Sequence, residues 1–140
     1  MESLLVREGR ILCTEDDPDS CDMIVMTLKK ARYEVVCTTD SALALNLVEH
    51  QHFDLCLLDN GTNGLTGVQL TERIRTVDQQ VPILFYSGVC SAVEQQKALN
   101  AGAQVYLTKP DGIDHLTEEI DRLIQQRLDN AKRNASQCLE

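Results

Sequence analysis

Five side chains have the types and positions to do chemistry together: Asp16, Asp17, Asp59, Ser87 and Lys109. Each follows a short apolar run, so if the runs are parallel strands, all five stand at the carboxyl edge of one sheet, where open α/β sheets gather functional groups. Three carboxylates crowded there would repel one another and raise one another's pKa unless a cation sat among them. Oxygen ligands with few carboxylates suit Mg²⁺, which keeps several waters and often shares a substrate phosphate. A carboxylate beside Mg²⁺ can act as the nucleophile in phosphoryl transfer, while a lysine and a hydroxyl bind the equatorial oxygens. Each residue alone has a plainer explanation: Asp17 before Pro18 caps a helix, Ser87 starts a turn before Gly88, and Lys109 is a solvated loop residue. Together they form a constellation for accepting a phosphoryl group.

The elements that must position them alternate along the chain. Apolar runs rich in β-branched residues predict strands at 10–14, 34–38, 54–59, 82–87 and 104–107. Between them the spacing predicts helices at 18–31, 41–50, 67–77 and 92–100, with Pro18 at a first helical position, Asp40 or Ser41 as a cap, and Gly102 just past a helix end. From Ile113 onward, Leu116, Ile120, Leu123, Ile124 and Leu128 recur at three- and four-residue steps, the apolar stripe of a last helix. Strict alternation implies a parallel sheet with helices on both faces, and the unbroken apolar run Leu55-Cys56-Leu57-Leu58 fits a strand covered on both.

The 140 residues suffice for one domain, and 43% apolar with 25% charged residues is ordinary globular composition. No apolar run is long enough to span a bilayer and the first residues lack the pattern of a signal peptide, so the expected location is cytoplasmic. Thirteen basic against 22 acidic side chains give a net charge of −9 with no basic cluster, which disfavours direct nucleic-acid binding. Six cysteines occur without a Cys-x-x-Cys pair and are expected to be mostly small buried apolar residues in a reducing compartment.

These residues, in this order, resemble the response-regulator receiver domain over residues 9–128. The matching features are the acidic pair Asp16-Asp17, Asp59 after Leu57-Leu58, Gly67 eight residues later, Ser87 closing the fourth strand, and Tyr106-Leu107-Thr108-Lys109-Pro110. The resemblance implies a flavodoxin-like (βα)5 fold, a doubly wound α/β sheet of strand order 2-1-3-4-5. It implies that Asp59 is the phosphoacceptor, that Asp17 is a direct Mg²⁺ ligand with Asp16 acting partly through water, and that the Gly61 carbonyl completes the metal shell. It further implies that Ser87 and Lys109 bind phosphoryl oxygens, that Tyr106 is a switch aromatic, and that a cis Lys109-Pro110 bond aims the lysine. The implied donor is a histidine kinase or histidine phosphotransfer protein, and the chain would catalyse only its own phosphorylation and dephosphorylation. The output would be binding to a downstream protein, or to a second copy, through the fourth helix, fifth strand and fifth helix. No effector domain is expected; residues 129–140 would be the helix end and a frayed tail.

Three features depart from the family pattern. The loop 60–66 lacks the usual methionine and proline and is expected to be mobile; Gly61 offers no side chain; and Arg32 stands where a glycine usually closes the first helix, so a local rearrangement is expected there. The altered loop motivates an alternative reading, a phosphorylation-independent interaction module. An aspartate-dependent phosphohydrolase is disfavoured because the second aspartate of its motif is absent, and flavin binding because only five residues are aromatic.

Overall fold

The computed structural model describes residues 9–61, 64–89, 91–109 and 113–139, and strand and helix alternate through them five times. In chain order the elements are β1 (Arg10–Thr14), α1 (Pro18–Lys30), β2 (Glu34–Thr38), α2 (Ser41–His50), β3 (Leu55–Leu58), α3 (Gly67–Val77), β4 (Ile83–Ser87), α4 (Ala92–Ala101), β5 (Val105–Thr108) and α5 (Ile113–Leu139). All neighbouring strands pair in parallel, and the order is β2-β1-β3-β4-β5, the flavodoxin-like topology. Every residue of β3 and β4 is buried, whereas the edge strands β2 and β5 are mostly half-buried. That gradient follows from helices covering both faces of the sheet centre.

Side chains that alternate along each strand feed two cores. Ile11, Cys13, Leu55, Leu57, Leu84 and Tyr86 pack with Ile24 and Leu28 of α1 and with Leu116, Ile120, Leu123 and Ile124 of α5. Leu12, Cys56, Leu58, Ile83 and Phe85 pack on the other face with Ala44 of α2, Leu70 and Ile74 of α3, and Ala98 of α4. Burying each such leucine or isoleucine contributes about 1.5–3 kcal/mol. These residues therefore set the register that brings the strand ends level.

Helix starts are fixed by side-chain caps. Asp17, Asp40, Thr66 and Ser91 each accept a hydrogen bond from a backbone N–H of the first turn, and Thr66 and Gln69 form a reciprocal capping box. At the sheet's amino edge, Arg75 of α3 donates to the carbonyls of Gly102, Val81 and Asp78 at 2.7, 2.7 and 3.2 Å. Gly102, at φ 125°, has no room for a side chain because a Cβ would lie 2.8 Å from Arg75 Nε.

Two expectations are corrected. α5 continues to Leu139, so the expected tail is helical through that residue. Arg32 causes no rearrangement: it adopts the left-handed conformation itself, at φ 73°. Its N–H reaches Lys29 O at 2.9 Å and that of Tyr33 reaches Leu28 O at 3.0 Å, the paired bonds of a Schellman ending. The two hydrogen bonds, with Tyr33 anchored in the core, hold an exposed arginine in a conformation that costs about 1 kcal/mol or more for a residue with a Cβ. Arg32→Gly should therefore raise unfolding stability by up to ~1 kcal/mol, read as a higher denaturant midpoint at unchanged slope.

Candidate functional site

The carboxyl ends of four strands converge. β1 delivers Glu15 and Asp16, β3 delivers Asp59, β4 ends in Ser87, and β5 leads into Lys109. Backbone bonds beyond the strand ends hold these positions: Glu15 N donates to Thr38 O at 3.2 Å, and Lys109 N to Ser87 O at 2.8 Å. Glu15, Asp59 and Ser87 are 2%, 6% and 1% exposed, which for two carboxylates demands compensation. One carboxylate oxygen from each of Glu15, Asp16 and Asp59 lies within 4.8 Å of the other two. The Lys109 ammonium pairs with Glu15 Oε2 at 2.5 Å and sits 5.5 Å from the Tyr86 ring centre. Ser87 Oγ accepts from Val89 N at 3.2 Å, and its hydroxyl favours the ionised form of Asp59. Gly67 closes the floor: its N–H donates to Asn60 O at 3.1 Å, and a Cβ would meet Asp59 O at 2.5 Å and the Phe85 ring at 2.7 Å.

The acidic group that faces Asp59 is therefore Glu15 with Asp16, one residue earlier than the pair Asp16-Asp17 read from the sequence. Asp17 does not join it. Its carboxylate accepts from Asp19 N at 3.3 Å and from Ser20 Oγ at 2.9 Å, capping α1 in solvent. A carboxylate spent on a helix start is aimed along that helix and away from the strand edge. The capping reading of Asp17 was the sequence signal for Glu15; in the fold Thr14 and Glu15 complete the run of buried residues that begins at Ile11.

The electrostatics reflect the crowding. Burial pushes the Glu15 carboxyl up to about 7, against the Lys109 hydrogen bond that lowers it. Burial likewise raises Asp59 above the ordinary carboxylate value, opposed by Lys109 and the Ser87 hydroxyl. Asp16 lies below its ordinary value because Glu15, and to a lesser extent Asp59, hydrogen-bond to it. Burial works against the Lys109 charge, but the bond to Glu15 and the charges of Asp59 and Asp16 hold its pKa above the usual lysine value.

Tyr106 lies beside this cluster. Its ring stacks on Phe85, with centroids 5.6 Å apart, and its hydroxyl donates to Val89 O at 2.8 Å. Asn60 Nδ2 donates to the same hydroxyl at 2.5 Å. Asn60, which the sequence did not single out for chemistry, thus joins the residue after Asp59 to the end of β5. Gly61 stands next to Asp16, whose Oδ2 would be 3.6 Å from a Cβ there. Part of the loop expected to be mobile, Thr62 and Asn63, lies outside the described residues, as does Pro110 with its expected cis bond. On the far side of that gap, Leu65 N donates to Ser41 Oγ at 2.6 Å, which ties the loop to α2.

The donor set suits a hard divalent cation. Three carboxylates offer oxygen only, at mutual distances one small ion can bridge, and two of them carry pKa values raised by burial that a cation would lower. The residues present fit Mg²⁺.

Comparison with known proteins agrees with this geometry. A sequence profile of the response regulator receiver domain matches residues 11–121. The uncharacterized transcriptional regulatory protein YrkP of Bacillus subtilis is 39% identical over 101 residues, covering 72% of this chain and 43% of YrkP. The sensor protein GacS of Pseudomonas syringae is 33% identical over 109 residues, covering 74% of this chain and 12% of GacS. The chain thus spans less than half the length of either relative. Among solved structures, a CheY-like response regulator receiver domain protein from Methanospirillum hungatei superimposes with a TM-score of 0.84 at 26% identity, covering 89% of this chain and 99% of that one. The receiver domain of the sensor histidine kinase PA1611 from Pseudomonas aeruginosa gives 0.79 at 28% identity, covering 85% and 99%; that structure holds a magnesium ion in its active-site cleft. The chain belongs to the response regulator receiver domain family, a signalling class of two-component systems. None of its described helices is long and apolar enough to cross a membrane.

The raised carboxyls carry a pH signature. A folded-state pKa above the unfolded value gives stability that is complete below about 4.5 and is lost as pH rises through about 7 for Glu15, and Asp59 acts in the same sense. Asp16, lowered in the fold, changes only at more acidic pH. Without divalent cations the melting temperature should be higher at pH 6 than at pH 8 by roughly 3–5 °C. Glu15→Gln should remove most of that difference.

Proposed function

We propose that this chain is a phosphorylatable switch whose acceptor is Asp59, taking the phosphoryl group from a phosphohistidine of a histidine kinase or histidine phosphotransfer protein in a Mg²⁺-dependent reaction. The observation that carries the reading is the Asp59 carboxylate itself, nearly buried yet ringed by Glu15, Asp16, Ser87 and Lys109. In the step, an Asp59 oxygen bonds to phosphorus as the phosphorus–nitrogen bond breaks, and the electron pair returns to the imidazole nitrogen, which takes up a proton. The acceptor must be ionised to attack, and Lys109 with the Ser87 hydroxyl favours that form against burial. Asp16, Asp59 and the Gly61 carbonyl would hold Mg²⁺, with Glu15 beside them; bound there, the ion supplies charge neutralisation for the acids and for the oxygens in transfer. Ser87 and Lys109 are the donors for two of those oxygens.

Output would leave through α4, β5 and α5, toward a downstream protein. Ser87 and Val89 belong to one turn, and Tyr106 of β5 is bonded to Val89 O, so displacement of the Ser87 hydroxyl toward a phosphoryl group bears directly on the tyrosine. The switch would then be a shift between two arrangements of that contact.

Incubation with a small acyl phosphate and Mg²⁺ should add one phosphoryl group to the intact mass, and Asp59→Asn should lose the addition while keeping the fold. Labelling of the variant at the wild-type level would overturn the acceptor assignment; no labelling together with no binding of a phosphoryl analogue would favour a phosphorylation-independent module. In Mg²⁺ titrations, Asp16→Asn should weaken binding at least roughly tenfold, whereas Asp17→Asn, which preserves the cap, should change it less than about twofold.

A further inference from the structure

Behind the acidic cluster, on the α1 side of the sheet, three sulfur atoms gather. Cys21 in the first turn of α1 and Cys37 of β2 have Sγ atoms 2.7 Å apart, and Cys13 stands opposite Cys37 in the β1–β2 register. A disulfide bond is about 2.05 Å long, so closing Cys21 onto Cys37 needs a movement of only about 0.7 Å. Cys21 and Cys37 are both half-buried and within reach of a small reagent, whereas Cys13 and Cys56 are sealed in the core. We propose that Cys21 and Cys37 form a modification site, a thiol pair that a peroxide converts to a disulfide pinning α1 to the edge strand β2.

The chemistry closes without a further reagent. The Cys37 thiolate attacks one oxygen of hydrogen peroxide, the oxygen–oxygen bond breaks, and hydroxide leaves and is protonated, giving a sulfenic acid and water. The Cys21 sulfur then attacks the Cys37 sulfur and expels hydroxide, which takes the Cys21 proton; two thiols and one peroxide yield one disulfide and two waters. The hydrogen bonds shared with Cys13, and then with Cys21, hold the Cys37 thiol below the ordinary cysteine value, whereas burial pushes Cys21 up to about 12. In this order Cys37 meets the oxidant and Cys21 resolves. In the reduced form, Cys21 Sγ donates to Glu15 O at 3.7 Å, a contact the disulfide gives up. The inference rests on the thiols alone and is independent of the phosphoryl reading.

The test uses the full reduced chain treated with hydrogen peroxide at a level that fully oxidises free glutathione, then alkylated after unfolding. Two of the six cysteines should no longer alkylate, and peptide mapping should link 21 to 37. The oxidised form should melt roughly 5–10 °C higher than the reduced form, and dithiothreitol should reverse the gain. In Cys21→Ser, Cys37 should persist as a sulfenic acid that dimedone labels, with no linkage and no gain in melting temperature. A linkage through Cys13, Cys90 or Cys138, or six alkylated cysteines after that treatment, would overturn the proposal. Mapping of the wild-type chain decides the matter even if the variant does not fold.

Discussion

Three carboxylates within 4.8 Å of one another, with two of them almost without solvent, are the constraint around which this domain is organised. Left alone they would drive the strand ends apart. The Lys109 ammonium, delivered by the opposite half of the sheet, offsets part of the charge through Glu15, and the protonation preferences of Glu15 and Asp59 shift to absorb more. What remains is an unmet demand for positive charge, and that demand makes the edge a place for chemistry. The parallel sheet is the means of meeting these geometric terms, because it alone brings residues 15, 59, 87 and 109 level from four separate strands.

The apolar layers serve the same end. Leu12, Cys56 and Ile83 on one face, with Ile11, Leu55 and Leu84 on the other, fix each strand against its neighbour, since a slip of one residue would exchange the faces. Gly67 shows how narrow the tolerance is: α3 starts so close to Asp59 that its first residue has no space for a side chain. The close approach of α3 is what shapes the floor beneath the Asp59 carboxylate.

Much of this was legible in the sequence, and the misses share a cause. Strand and helix alternation, the caps at Asp17 and Asp40 and the last amphipathic stripe are local or periodic signals, and the elements fall within one or two residues of expectation except at the end of α5. The convergence of Asp59, Ser87 and Lys109 follows from parallel topology alone. The acidic partner was misplaced by one residue because three acids in a row carry no periodicity, and only the competition between capping α1 and facing the sheet edge separates Asp17 from Glu15. Arg32 was misjudged because its conformation is decided by two backbone hydrogen bonds and a buried Tyr33, not by its own preference. The link from Asn60 to Tyr106, 46 positions apart, and the meeting of Cys21 with Cys37 depend on side-chain direction, which spacing does not encode.

The amino edge of the sheet is tied together by one side chain. At the amino edge Arg75 stitches the end of α3 to the approaches of β4 and β5, and its guanidinium is so closely seated on Gly102 that no other residue would leave it room. Among the described residues of the carboxyl edge, Ser87 Oγ accepts from Val89 N and the Tyr106 hydroxyl donates to Val89 O. Arg75, through the carbonyl of Gly102, holds the end of α4 against the end of α3. One guanidinium thereby ties the end of α3 to the end of α4 and to the approach to β4, so the two helices share a single anchor there.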